Sequence, residues 1–180
     1  KTSVGVILSG GVSDAAAAYA STTGTATAGR TAIAAQDGDA ALTVTDAATV
    51  AQANSVATAT TGTVQFSGGI TDSTTNLMNG DSSAISTGLS TAKTDDSDVV
   101  ITANTAVTVA QFNLLDAATS SAIVLSGGIS DTAANLAPSG TASSGLTNST
   151  TQDGDVAITI TGTAPTVAEL NKVASLTTGA

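Results

Sequence analysis

The chain has no cysteine, no histidine and no tryptophan, and aromatic residues make up only 2% of its 180 positions. Without cysteine there is neither a disulfide nor a thiolate metal site. Without histidine or cysteine, the usual Ser–His and Cys–His nucleophilic arrangements cannot be assembled. Tyr19, Phe66 and Phe112 are too scattered to line a sugar-binding groove. A pair of carboxylates acting on a polysaccharide is the one enzymatic alternative left, and it is a remote one. Basic residues are also scarce: Lys1, Arg30, Lys93 and Lys172 stand against 14 acidic residues, a formal net charge of -10. Four isolated cations cannot hold a phosphate backbone, so nucleic acid is not an expected partner, and an anionic membrane surface is disfavoured for the same reason. No apolar run approaches the ~18 residues of a membrane span, so membrane insertion is not expected. No signal peptide is visible, and a start at Lys1 rather than Met reads as a processed chain or a fragment.

What is present is a repeat. Apolar residues reach 41% of the chain, mostly Ala and Val. Such a core gains little per residue and suits thin layers with close backbone approach. Ser9-Gly10-Gly11-Val12-Ser13-Asp14 returns as Ser67-Gly68-Gly69-Ile70-Thr71-Asp72 and as Ser126-Gly127-Gly128-Ile129-Ser130-Asp131, at offsets of 58 and 59 residues. Two further landmarks keep the same phase: Asp37-Gly38-Asp39, Asp96-Ser97-Asp98 and Asp153-Gly154-Asp155, then Thr49-Val50-Ala51-Gln52, Thr108-Val109-Ala110-Gln111 and Thr166-Val167-Ala168-Glu169. The repeats run 1–62, 63–121 and 122–180, as one continuous array.

Each repeat divides into two halves, each a short β-rich run, a turn, and a Ser- or Thr-led helical stretch. Strands are predicted at Val4–Leu8, Ala41–Thr45, Thr63–Phe66, Val99–Thr102, Ala122–Leu125 and Val156–Thr161, from their Val, Ile and Thr content. Helices are predicted to open at Ser13, Thr49, Thr71, Thr108, Ser130 and Thr166, with Asp14, Asp72 and Asp131 in a first turn that favours negative charge. The Gly/Ser/Thr-rich inserts, such as Ser21 to Arg30 and Ser139 to Thr151, read as loops on one face. Strand–helix alternation with short connections implies parallel strands and right-handed crossovers. The expected fold is an α/β solenoid of six coils, with short stacked parallel strands and a short helix per coil; an all-β solenoid is the alternative.

Gly5, Thr63, Ala122 and Ala180 occupy equivalent positions, so the sequence begins and stops at one phase of its repeat, and neither end reads as a polar cap. The expected partners are therefore copies of the chain or flanking repeats, joined end to end, with Val4–Leu8 on an exposed edge and the helix at Thr166 ready to stack on a following coil.

The stretch LSGGISDTAANLA at Leu125–Ala137, the VTVAQ and DAATS stretches within Val107–Ser120 and the Asp-Gly-Asp turns together resemble the Ala/Thr/Ser/Gly/Asp-rich tandem arrays of very large bacterial surface proteins, notably cyanobacterial ones. The resemblance covers the whole chain. It implies a secreted or cell-surface protein, adhesive or matrix-forming, and often accompanied by hemolysin-type calcium repeats. The glycine-rich nonapeptide of those repeats does not occur here.

Two residue sets are candidates for a site. Asp37, Asp39, Asp96, Asp98, Asp153 and Asp155 place paired carboxylates two residues apart once per repeat, a spacing that suits calcium or, equally, a polar turn before a strand. Asn54, Asn76, Asn113, Asn135 and Asn171 recur five positions after the Ser or Thr that opens each helical stretch, with Ala18 the exception. They read as an internal amide ladder of stacked coils, or else as a ligand-facing stripe. Asn148-Ser149-Thr150 matches a glycosylation sequon. The combined expectation is a structural, extracellular filament, sheath or surface-layer module that is not an enzyme, with a calcium-stiffened adhesin stalk as the alternative.

Overall fold

A computed structural model describes residues 5–178. In chain order the elements are β1 (Val12–Asp14), α1 (Ala16–Tyr19), α2 (Ala28–Gln36), β2 (Leu42–Val44), α3 (Val50–Ala57) and β3 (Val64–Phe66). The same order follows as β4 (Ile70–Asp72), α4 (Thr74–Leu77), α5 (Thr87–Asp95), β5 (Ile101–Ala103), α6 (Val109–Asp116) and β6 (Ile123–Val124). It begins again as β7 (Ile129–Thr132), α7 (Ala133–Leu136), α8 (Ser144–Gln152), β8 (Ile158–Thr161) and α9 (Val167–Ala174), with a 3-10 turn at Pro138–Gly140. The fold is mixed helix and parallel strand, in small sheets. Two compact units divide the chain: Lys1–Thr71 with Ser86–Val100, and Asp72–Ile85 with Ile101–Ala180.

In the first unit β1, β2 and β3 pair in parallel, with Val12 opposite Leu42 and Leu42 opposite Val64. In the second, β5 pairs with β6 and β7 with β8, again in parallel. Parallel strands need a crossover, and here the crossovers carry the helices. Side chains facing inward along the strands are aliphatic and buried: Leu42, Val44 and Val64 in the first unit, Ile101, Ile123 and Ile129 in the second. Each is worth roughly 1.5–3 kcal/mol of burial. Tyr19, wholly buried, adds a polar tie, since its hydroxyl lies 2.9 Å from the Val12 carbonyl and 3.2 Å from that of Thr43.

The N-caps expected at Thr49, Thr108 and Thr166 form as full capping boxes, each hydroxyl accepting from the N3 amide and each Gln or Glu side chain returning the bond. Three other expectations are corrected. Residues 5–8 form no strand, and Val4 lies outside the described residues. Ser13, Thr71 and Ser130 do not open helices; they continue β1, β4 and β7, and the helices begin three residues later. The cause is the turn before them. Gly11, Gly69 and Gly128 adopt φ of 68°, 76° and 75°. That turn delivers the next amide to a parallel neighbour: Val12 to Ala41 O, Ile70 to Val100 O and Ile129 to Ala157 O, each at 2.8 Å. Ladder bonds outcompete a helix of one turn.

The inserts, finally, are loops only in part: residues 21–27 carry no helix, but the inserts run on into helices. They hold α2, α5 and α8, nine residues each, N-capped by the side chains of Thr27, Ser86 and Ser143. Their Ser and Thr residues are poor helix formers. Several turn their hydroxyls back onto the helix, as Thr91 does to Thr87 O and Thr147 to Ser143 O.

Candidate functional site

The acidic turns have one geometry three times. Asp37, Asp96 and Asp153 end α2, α5 and α8 as C-caps. Each then sends its Oδ2 to a backbone N–H about half a repeat earlier in the chain: Leu8 at 2.5 Å, Phe66 at 2.6 Å and Leu125 at 2.9 Å. Those amides belong to the residue just before each Ser-Gly-Gly turn. The carboxylate thus fixes the turn that launches β1, β4 and β7. Asp39, Asp98 and Asp155, the second members of each pair, are exposed.

Environment separates equivalent carboxyls. The Leu8 amide and then the Asp39 side chain hold Asp37 below the ordinary carboxylate value. Burial pushes Asp96 up, and the neighbouring Asp98 adds to this against the lowering pull of the Phe66 amide. The signs of the linkage are therefore opposite. Asp37 contributes stability that is present above the unfolded carboxylate pKa and is lost as pH falls through its depressed native value. For Asp96, stability is full below the unfolded value and is lost as pH rises through the raised one. Asp37→Asn should lower the melting temperature at pH 7 and cease to matter in acid. Asp96→Asn, whose amide oxygen can still accept from Phe66, should raise it at pH 7 and lose that advantage near pH ~4. Melting curves of both variants across pH 3–8 test the pair; shifts of one sign for both would show the environments to be alike.

Calcium takes six to eight oxygens. Each turn offers two carboxylates, one of them with an oxygen committed to a backbone N–H, and among the described residues no group of three or more acidic, His or Cys side chains gathers to add to it. Backbone carbonyls and water would have to supply the rest.

The amide ladder is corrected by exposure. Asn76, Asn113, Asn135 and Asn171 are exposed, and Asn54 is only half-buried. Asn76 and Asn135 instead donate to the Oδ1 of Asp72 and Asp131, four residues back, at 2.8 and 2.6 Å. Asp131 also accepts from the Val109 amide at the start of α6 with its Oδ2, at 3.0 Å. These Asp–Asn pairs organise a helix entry locally. The signal for them was the i, i+4 spacing, and in the first repeat Ala18 stands where the Asn would be, after Asp14.

No family model matches the chain, and none of the curated proteins or solved structures compared with it is significantly similar. The site must be read from its own geometry. An open groove of about 330 Å³ lies over Val124, Leu125 and Ser126 beside Asp153, Asp155 and Val156. Another, of about 200 Å³, is lined by Val6, Leu8, Ala32, Ile33 and Gln36 and is apolar. No helix among the described residues is long and apolar enough to cross a membrane.

Proposed function

We propose that the chain is a structural repeat module of an extracellular filament, sheath or surface layer, a solenoid of stacked coils that continues end to end, and that it performs no catalysis. The observation that carries this reading is the use made of the polar residues. The first acidic side chain of each recurring pair is spent on a backbone amide of an earlier turn, three times over, at Leu8, Phe66 and Leu125. Residues committed in this way hold one turn of the chain to another; they are not presented to a ligand. Short parallel strands support the same reading, because their partners are supplied by the next turn of the chain, and a ladder built so can be extended by more of the same. The surface setting rests on the resemblance to bacterial surface arrays.

Sedimentation velocity over a wide concentration range, with electron microscopy of the concentrated sample, tests the proposal. The expected result is growing linear oligomers. Salt should promote them, since each molecule carries a net charge of -10 and like charges must be screened for association. A monomer at every concentration and salt would sink the filament reading. If that monomer also melted higher with calcium and lower with chelator, the calcium-stiffened stalk would replace it.

A further inference from the structure

We propose that Asn79 is a site of spontaneous modification, at which the backbone nitrogen of Gly80 closes on the Asn79 side chain and converts it to an aspartyl or isoaspartyl residue. The reaction needs no partner chain and no assembled state.

The site stands where the three repeats differ. Two positions beyond α1, α4 and α7 the chain carries Ser21, Asn79 and Pro138. Asn79-Gly80 is the one Asn-Gly pair in the sequence. Every other asparagine precedes Ser, Leu, Thr or Lys, whose Cβ crowds the nitrogen that would attack. Six of those seven also lie inside helices, whereas Asn79 lies in a turn.

The turn presents the reacting groups. Gly80, Asp81 and Ser83 are exposed. The Asn79 N–H donates to Ala84 O, and the Asn79 carbonyl accepts from the Ser82 amide, both at 2.9 Å. The Gly80 N–H, by contrast, has no partner among the described residues, so the nucleophile gives up no hydrogen bond. A Cβ on Gly80 would meet nothing within 4 Å, so the space around the nitrogen is open. The Asn79 side chain is held by both ends of its amide: Oδ1 accepts from the Ala84 N–H at 3.1 Å, and Nδ2 donates to Ser83 Oγ at 3.2 Å. The Ala84 amide is thereby aimed at the oxygen on which negative charge develops when Cγ becomes tetrahedral.

The bonds balance in two steps. The Gly80 nitrogen loses its proton to base and bonds to Asn79 Cγ. The Cγ–Nδ2 bond breaks, ammonia leaves with a proton returned to it, and a succinimide ring remains. Water then opens the ring. Addition at Cγ restores the ordinary main chain with a carboxylate side chain; addition at the main-chain carbonyl leaves the chain running through Cγ, the isoaspartyl form. Either product adds a negative charge beside Asp81 and removes the donor that Ser83 Oγ accepts from. The isoaspartyl form also lengthens the main chain inside the turn, and so loosens the bridge between Met78 and Ile85.

Incubation of the purified, folded chain in mildly alkaline heavy-oxygen water tests the proposal, with ammonia release measured and every asparagine followed by peptide mapping. The expected result is release that quickens as pH rises, with heavy oxygen entering at position 79 ahead of every other asparagine and a mixture of aspartyl and isoaspartyl peptides. Gly80→Ala should slow the reaction roughly tenfold or more, because the added Cβ crowds the attacking nitrogen. It should keep the parent melting temperature, since that Cβ has open space and Gly80 is not among the positive-φ glycines. Asn79→Gln, which would have to close a larger ring, should release no ammonia from this turn. A position 79 that stays intact in the folded chain and reacts only in denaturant would overturn the proposal. Equal rates in the parent and in Gly80→Ala would do so as well.

Discussion

Gly127→Ala should cripple the folding of the second unit, while Gly10→Ala, the same change at the equivalent position of the first repeat, should leave the isolated chain untouched. Gly127 sits in the Ser-Gly-Gly turn, and its amide donates to Ala103 O at 3.0 Å. A Cβ there would lie 2.1 Å from the carbonyl carbon of Thr105 and 2.4 Å from its Cα. These are main-chain atoms, so no rotamer change can clear them. Overpacking in a core that can adjust costs typically 1–3 kcal/mol. With backbone as the obstacle, about 3 kcal/mol or more is the expectation, because the turn must give up its bond to Ala103 or push the Thr105 segment away. Gly68→Ala meets Asp46 in the same way in the first unit. Thermal melts of the three alanine variants decide the matter: two low values and one parental value are expected. Three parental values would show that the turns slide apart without cost.

The contrast between these glycines explains part of what the sequence revealed and what it concealed. The period was plain, because Ser-Gly-Gly serves a turn that only glycine can complete. The starts of α3, α6 and α9 were equally plain, since Thr followed by Gln or Glu at N3 is a local signature whose bonds close within one turn. Strands β2, β3, β5, β6 and β8 fell where Val, Ile and Thr concentrate. Helices α5 and α8 were hidden by composition, whereas α2, with Ala28, Ala32, Ala34 and Ala35, was legible and was missed. Stretches such as Thr87-Gly88-Leu89-Ser90-Thr91 have weak intrinsic helix preference, and their helix is sustained by what they lie on. In α5 that includes Leu89 and Ala92, both fully buried.

The candidate site divides in the same way. That the aspartates recur was visible, but their task was not, because the amide that Asp153 accepts from belongs to Leu125, far back in the chain. The asparagines misled through their periodicity. A recurring residue was read as a column between coils, whereas Asn76 and Asn135 complete bonds to an aspartate one helical turn away. Recurrence reports a repeated need; only geometry tells whether the need is local or distant.

Phe112→Ala and Leu170→Ala form the second pair with a large expected contrast. The two residues hold the same place in α6 and α9. Phe112 is fully buried, in the helix on which α8 lies. Truncating such a phenylalanine costs about 3–5 kcal/mol, from lost burial and the cavity left behind. For a chain of this size that corresponds to a fall in melting temperature on the order of 10 °C. Leu170 is 50% exposed, so its truncation removes little that the isolated chain uses, and a change below about 1 kcal/mol is expected. Its cost should appear elsewhere. If α9 stacks on a following coil, as the end-to-end reading expects, Leu170→Ala should weaken self-association while leaving the dilute melting temperature alone, and Phe112→Ala should do the reverse at temperatures where the chain is folded. Melting at low concentration and sedimentation at high concentration separate the two effects. Equal losses of thermal stability from both variants would mean that α9 is already covered within its own chain, and it would not be free to stack on a following coil.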